Sequence, residues 1–194
     1  RPRSRKRRHH LRTVGTLVRL RRPAEARALL DYFFEDQRPA AWRQWAEGIR
    51  SNPREPGFVG DMPQTWVGSD YIRSVLDFFA FEEGDRLVVA AGVSEEWARK
   101  GVRVSGLRTH YGTLDYSIAA DGDALLLRID AGVTPPPGGI VVVSPFDGSE
   151  TIVRALPAEV VLKSRKQKAE SRKGGGTSAF CFLPSAFCFS RALK

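Results

Sequence analysis

The stretch Gly112-Thr-Leu-Asp-Tyr-Ser-Ile-Ala-Ala-Asp-Gly-Asp-Ala-Leu-Leu-Leu-Arg-Ile-Asp130 decides the fold class of the second half of the chain. In its first half Leu114, Tyr116 and Ile118 alternate with polar or small residues, which is typical of a β-strand with one buried face. Asp121-Gly-Asp123 is a tight-turn sequence, and a second apolar stretch follows it. The sequence therefore predicts an antiparallel hairpin with one strand on each side of this turn.

Other short apolar stretches lie on both sides of the hairpin and are separated by turn residues. Strands of this length and spacing are typical of an antiparallel β-sandwich. The predicted sandwich domain covers residues 86–162, with about seven strands at 86–93, 102–104, 112–119, 124–130, 140–143, 151–154 and 159–162.

Residues 23–82 have the apolar spacing of helices instead. Pro23 suits a first helical position, and apolar residues follow it at intervals of three and four. Residues 51–63 contain three prolines and two glycines and are predicted to form a loop. We predict three helices, whose buried faces carry Ala26, Leu29, Leu30 and Phe33 in the first, Trp42, Trp45, Ala46 and Ile49 in the second, and Ile72, Val75, Leu76 and Phe79 in the third, from Trp66 to Phe81. The predicted fold class is α+β, with a domain boundary near Glu82 to Asp85.

The basic character of the chain belongs to its two ends. The 194 residues carry a formal net charge of +9, but residues 1–22 carry +10, residues 163–194 carry +7 and residues 23–162 carry −8. The ends also lack a core-forming pattern and any nucleic-acid-binding motif. We therefore predict that 1–22 is disordered or extraneous, that 163–194 is a low-complexity tail, and that nucleic acid is not a partner. No apolar run is long enough to cross a bilayer, so no membrane partner is expected.

The helical part is too rich in aromatic residues to stand alone. Three short helices offer little room to hide so many rings from water, and the chain begins with Arg rather than Met. We expect residues 23–82 to be the last helices of a larger helical domain whose earlier part lies upstream. Cys181 and Cys188 stand in a duplicated Ser-Ala-Phe-Cys-Phe tail without partnering histidines, so neither a metal site nor a cofactor is predicted. The sequence leaves the cellular compartment undetermined.

Three strings carry a resemblance to a known family, namely Trp42-Arg-Gln-Trp45, Gly60-Asp-Met-Pro-Gln-Thr-Trp-Val-Gly-Ser-Asp70 and Thr109-His-Tyr-Gly-Thr-Leu-Asp-Tyr116. Over residues 23–162 the order resembles the C-terminal end of bacterial six-hairpin glycosidases, and in particular of α-L-rhamnosidase-like enzymes. In that architecture an (α/α)6 toroid is followed directly by a small β-sandwich. The resemblance implies that residues 23–82 are the last toroid helices.

Glycoside hydrolysis is the chemistry that the resemblance implies. It needs one carboxylic acid to protonate the leaving oxygen and a second carboxylate as base or nucleophile. The resemblance places the acid upstream of this chain, and the family's base position corresponds to Arg43. The nearby acids Glu47 and Asp61 are therefore the candidate catalytic residues, although an ion pair of Glu47 with Arg43 and a capping role for Asp61 are the alternatives.

A carbohydrate substrate would also need surfaces to pack on. Trp42, Trp45 and Trp66 are candidate substrate-binding residues because sugar C–H groups pack on aromatic faces, and His110 is a candidate that faces the cleft from the sandwich. Packing in the core for the tryptophans, and hydrogen bonding at the domain junction for His110, are the alternatives.

The function expected is that of the C-terminal fragment of a glycoside hydrolase, inactive by itself. A non-catalytic carbohydrate-binding or structural β-sandwich module is the alternative.

Overall fold

The chain folds into three layers, as seen in a computed structural model that describes residues 11–35, 37, 40–46, 63–164 and 167. Helices pack on one face of a four-stranded sheet, and a second four-stranded sheet packs on the other face. The predicted α+β class is confirmed. The elements are α1 (Arg12–Arg19), α2 (Pro23–Glu35), a 3-10 turn (Ala40–Trp42), α3 (Thr65–Phe79), β1 (Ala80–Glu83), β2 (Arg86–Val89), α4 (Glu95–Lys100), β3 (Val102–Thr109), β4 (Gly112–Asp121), β5 (Ala124–Ile129), β6 (Ile140–Val143), β7 (Glu150–Val153) and β8 (Ala158–Leu162).

The two sheets have the strand orders β1-β2-β6-β7 and β3-β4-β5-β8, called the first and the second sheet below. The predicted hairpin is present, because Asp121 pairs with Ala124 around Gly122, whose φ of 57° suits glycine. The expectation of a wholly antiparallel sandwich is wrong at one place, since β2 and β6 run parallel. They do so because the chain crosses to the second sheet after β2 and returns only at β6.

The two central strands of the first sheet, β2 and β6, are buried on both faces. Leu87 and Val89 of β2 point into the core between the sheets, whereas Val88 points toward the helices. β6 repeats this arrangement, with Ile140 and Val142 on one side and Val141 on the other. A strand covered on both sides has no polar face, which explains the uninterrupted apolar runs in its sequence.

Tyr116 of β4 connects the second sheet to the end of α3. Its hydroxyl donates a hydrogen bond of 2.9 Å to the carbonyl oxygen of Phe79. Burial raises the pKa of Tyr116 above its ordinary value, so the phenol remains a hydrogen-bond donor. The junction between helices and sandwich is therefore a specific polar contact inside an apolar core.

The basic segment 1–22 is part of the fold from Leu11 onward, so the expectation that it is disordered or extraneous is wrong for residues 11–22. Val14 and Val18 of α1 lie one turn apart and are fully buried against α2 and α3. Burial of two valines contributes roughly 3–5 kcal/mol. The net charge of the segment gave no indication of this helix, because basic residues flank its narrow apolar stripe.

The arginines of this segment bind carboxylates of the acidic middle of the chain. Arg19 and Asp77 form a bidentate pair, with Nη2 to Oδ1 at 2.6 Å and Nε to Oδ2 at 2.9 Å. The side-chain hydrogen bond to Asp77 raises the pKa of Arg19, and its guanidinium also lies 4.6 Å from the ring centroid of Phe81. The other pairs are Arg12 with Asp70 at 3.1 Å, and Arg21 with Glu83 at 3.1 Å and Glu150 at 2.9 Å.

The buried face of α3 differs from the predicted one. Ile72 is 60% exposed and Leu76 is 41% exposed, whereas Ser74 and Asp77 are buried together with Val67 and Phe78. The reason is Gly15 of α1, which leaves room for the α3 backbone at Ser74. The Ser74 hydroxyl donates to the Leu11 carbonyl oxygen at 3.0 Å, and Arg19 pairs with Asp77. Paired polar groups thus occupy the face that packs on α1.

Helix α3 ends at Phe79 rather than at the predicted Phe81, and the next residues form β1. The predicted boundary near Glu82 to Asp85 falls within the β1–β2 hairpin, at the end of β1 and the turn that follows it. Phe81 of β1 packs among the helices, so the helical and sandwich parts share one core. Besides α1 and the 3-10 turn, β1 and the short helix α4 were absent from the prediction.

Substitution of Gly15 by leucine should destabilise the crossing of α1 and α3. A Cβ atom on Gly15 would lie 2.6 Å from Asp77 Oδ2 and 3.2 Å from Ser74 Cα. We expect Gly15→Leu to lower the free energy of unfolding in urea by about 2–3 kcal/mol. Gly68→Ala on α3 is the control, because no atom lies within 4 Å of its added Cβ. Equal effects of the two changes would contradict the close approach at Gly15.

Substitution of Arg19 by methionine should lower the free energy of unfolding more than the same substitution at an exposed ion pair. It leaves Asp77, which is only 5% exposed, without its charged partner. We expect a loss of about 2 kcal/mol, less than for a fully buried pair because water reaches part of Arg19. The matched control is Arg128→Met, whose pair with Glu159 is exposed on both sides and should cost under about 0.5 kcal/mol. Chemical denaturation of both variants gives the comparison.

Candidate functional site

An aromatic cluster joins the C-terminal end of α2 to the N-terminal half of α3. The ring centroids of Trp45 and Tyr71 are 5.0 Å apart, and Phe34 lies 6.0 Å from Trp45 and 5.8 Å from Tyr71. These distances and tilted angles are those of packed aromatic pairs. The cluster is the place where the predicted substrate-binding tryptophans and the helical layer meet.

Trp45 belongs to the core of this cluster. It is 7% exposed, and its indole Nε1 donates a hydrogen bond of 2.7 Å to the carbonyl oxygen of Phe33. That carbonyl belongs to the last turn of α2, where no later helical N–H is available to it. Trp45 therefore completes the end of α2, and its ring is not open to a sugar.

Trp42 is the exposed ring of the Trp42-Arg-Gln-Trp45 string, with 60% of its surface accessible. The predicted second helix is wrong over residues 42–46, because the 3-10 turn ends at Trp42 and Arg43 has a left-handed φ of 51°. This reversal of the chain lets Trp45 reach back to α2. It leaves Trp42 facing solvent, so of the two tryptophans only Trp42 offers a surface for a ligand.

Trp66 lies at the start of α3 and is half-buried. The guanidinium carbon of Arg12 lies 5.8 Å from its ring centroid, in a cation–π contact. Arg12 also pairs with Asp70, one turn along α3 from Trp66. The ring is thus partly covered by the basic segment.

His110 lies far from these tryptophans. It is exposed in the turn between β3 and β4, where its backbone N–H donates to Glu82 Oε1 at 3.1 Å and its ring packs on Tyr111. Glu82 follows the C-terminal end of α3, whereas Trp66 is near its start, and a helix of 15 residues is about 22 Å long. The structure therefore does not bring His110 and Trp66 together. The hydrogen bond from His110 to Glu82 is donated by the backbone N–H of His110 and not by its ring.

The candidate catalytic residues Glu47 and Asp61 lie outside the described residues, so their roles stay predictions. Among the described acids on the helical side, Asp70, Asp77 and Glu83 are each paired with an arginine. A carboxylate held by a guanidinium is poorly placed to exchange a proton with a substrate. These three carboxylates are therefore occupied, whereas Asp31 and Glu35 of α2 are exposed at the surface of the helical layer.

A shallow groove of about 210 Å³ opens at the other end of α3. Its walls include Arg19, Asp77 and Glu82, together with Leu107 and Thr109 of β3. Arg19 and Asp77 pair with each other, and Arg73 and Arg108 also line the groove, which lies where α3 and β1 meet β3. Over the described ranges no group of three or more His, Cys, Asp or Glu side chains is arranged to hold a metal ion, and no helix is long and apolar enough to cross a membrane.

Comparison of the chain with protein-family models, with curated proteins and with solved structures gives no match. The resemblance to six-hairpin glycosidases therefore rests on the three sequence strings alone.

The arginines that connect the elements of this half of the molecule were not predicted from the sequence. Arg19 and Arg21 lie in the basic segment 1–22, which was predicted to be disordered or extraneous, and Arg27 was not among the candidate site residues. The signal available in the sequence was the spacing of Leu11, Val14 and Val18, which is helical.

The different positions of Trp42 and Trp45 predict different effects on stability. Trp45→Phe removes the donor to the Phe33 carbonyl and should lower the free energy of unfolding by about 1–3 kcal/mol. Trp42→Phe, the matched control on the surface, should change it by less than about 0.5 kcal/mol. Thermal and urea unfolding of the two variants measure the difference, and a neutral Trp45→Phe would argue against its core position.

Proposed function

We propose that this chain is the C-terminal part of a glycoside hydrolase that cuts O-glycosidic bonds, and that its helices are the last helices of an (α/α)6 toroid. The three strings that resemble α-L-rhamnosidase-like enzymes support this proposal. In it the helical layer forms one wall of a sugar cleft, and the sandwich braces that wall. The substrate is a carbohydrate, and the catalytic acid comes from the rest of the toroid.

The observation that carries the proposal is the surface of the helical layer. Trp42 is exposed beside the aromatic cluster, and Ile72 and Leu76 form an exposed apolar strip one turn apart on α3. Exposed apolar strips on a helix usually mark contact with another element. A further toroid helix against α3, with sugar against Trp42, accounts for both features.

The rigid connection between the layers also supports the proposal. Phe81, Val88 and Val141 of the first sheet pack on the helices, and Tyr116 reaches from the second sheet to Phe79. A wall of a binding cleft must hold its side chains in place while the substrate reacts. The shared core gives the helices such a fixed base.

A non-catalytic carbohydrate-binding or structural module is the second candidate. The pairing of Asp70, Asp77 and Glu83 with arginines favours it, since these three carboxylates are then occupied. In this case Glu47 and Asp61 have no chemical role, and the exposed Trp42 is the residue that contacts the carbohydrate.

Hydrolysis of aryl glycosides separates the two candidates. The purified chain should release no nitrophenol from nitrophenyl glycosides. In the longer enzyme that contains this chain, loss of the true second carboxylate, by Glu47→Gln or Asp61→Asn, should lower kcat by about 10²–10⁴. Glu159→Gln is the control, because that carboxylate pairs with Arg128 on the second sheet.

Each result has a definite meaning. Turnover by the isolated chain would contradict the proposal that the acid lies elsewhere in the toroid. Unchanged hydrolysis in both Glu47→Gln and Asp61→Asn would support the non-catalytic module, and Trp42→Ala should then weaken retention on a carbohydrate resin.

A further inference from the structure

A second cavity, of about 270 Å³, opens where the helical layer meets the first sheet. Arg21 and Arg27 line it from the helical side. The loop after β2 contributes Ala90 and Val93, and the loop after β6 contributes Ser144 and Phe146. The cavity lies near Pro23, at the N-terminal end of α2, whereas the aromatic cluster with Trp45 lies at the C-terminal end of this helix. It is therefore a site separate from the proposed sugar-binding wall.

The topology of the first sheet places two loops at this cavity. β2 and β6 are parallel neighbours, with Val88 opposite Val141, so their carboxyl ends lie at the same edge. They are the only parallel pair among the strands that the structure describes. Ligands commonly bind outside the carboxyl ends of parallel strands, because the loops that follow the strands converge there.

Both loops are fixed by backbone hydrogen bonds. Gly92 N–H donates to the Phe78 carbonyl oxygen at 2.9 Å, and a Cβ atom at Gly92 would lie 2.6 Å from Phe78 Cα. In the second loop Ser144 N–H donates to the Ser149 carbonyl oxygen, and Gly148 N–H donates to that of Ser144, both at 2.9 Å. The cavity is thus formed in advance of any ligand.

Arg27 supplies the cavity with a guanidinium, and Ser144 and the carboxylate of Asp147 also line it. Nη1 of Arg27 donates to the Gly92 carbonyl oxygen at 3.0 Å, which uses one of the five N–H donors of the guanidinium. Burial lowers the pKa of Arg27, and Asp31 opposes this effect only in part. Arg21, by contrast, is paired with Glu83 and Glu150. Within the described residues no carboxylate lies within ion-pair distance of Arg27.

We propose that this cavity binds a small ligand that carries an anionic oxygen group, a carboxylate or a phosphate, on an apolar body. Arg27 holds the anionic group through its free N–H donors, as guanidinium groups do in charge-assisted pairs. The apolar body packs against Phe146 and Val93. The volume has room for on the order of ten non-hydrogen atoms, which suits a small molecule rather than a peptide.

Matched aromatic probes test this proposal on the full chain. Benzoate and phenyl phosphate carry the two anionic groups on one apolar ring, and benzamide is the neutral counterpart. In a titration followed by 1H–15N NMR we expect the anionic probes to shift the amides of residues 90–93 and 144–148, with a Kd of about 1–10 mM. Benzamide should bind at least ~10-fold more weakly. The anion that binds more tightly shows whether the site prefers a carboxylate or a phosphate.

Variants then test the role of Arg27. Arg27→Gln should weaken binding of the better anion at least ~10-fold, and Arg27→Lys should have an intermediate effect because it keeps the charge but loses the planar fork. Arg128→Gln, on the second sheet, should bind like the unchanged chain, and thermal unfolding shows whether each variant is folded.

The proposal is overturned if benzamide binds as well as benzoate, if the shifts occur outside the two loops, or if folded Arg27→Gln binds unchanged. Should Arg27→Gln fail to fold, the comparison of benzoate with benzamide on the unchanged chain decides alone.

Discussion

The bidentate pair between Arg19 and Asp77 is the interaction on which the helical layer depends. The carboxylate of Asp77 is buried where α3 packs on α1, and an isolated charge there would be strongly unfavourable. Arg19 neutralises it with two short hydrogen bonds, donates a third to the Glu82 carbonyl oxygen, and lies over the ring of Phe81. One side chain thus connects α1, α3 and β1. The angle and register of α1 on α3 follow from this connection and from the absence of a side chain at Gly15.

This arrangement changes the meaning of the charge distribution. A chain with +10 at one end and −8 in the middle suggests an external anionic partner. The structure shows that Arg12, Arg19 and Arg21 are used inside the molecule, against acids 58 to 129 residues away in sequence. Opposite charges in separate segments of one chain are therefore a sign of intramolecular pairing.

Local patterns predicted the β4–β5 hairpin well, because β4 alternates apolar with polar or small residues and the turn has its own residues, whereas β1 was missed and the parallel pairing of β2 with β6 was not predicted. Helix α4 was missed, although the sequence carries the signals of a helix. Ser94 caps it, acidic residues begin it, Arg99 and Lys100 end it, and Gly101 follows. The buried face of α3 was not predictable from periodicity. Its most apolar strip is exposed, and which face packs is decided by a glycine and an arginine far away in sequence. The same limit applies to the candidate site, where a left-handed residue after Trp42 separates two tryptophans that a helix would place on one face.

The two ends of α2 have different chemistry, and this difference follows from the topology. At the C-terminal end the chain reverses, Trp45 satisfies a terminal carbonyl of α2, and the neighbouring Trp42 becomes exposed. At the N-terminal end α2 meets the carboxyl edge of two parallel strands, where Arg27 satisfies a loop carbonyl with one donor and keeps the others. Trp45 and Arg27 thus each stabilise the fold through one hydrogen bond to a backbone carbonyl oxygen. Trp45 has no donor left, whereas Arg27 retains donors and charge beside a preformed cavity. The proposed sugar surface and the proposed anion site are therefore compatible, because they lie at opposite ends of α2.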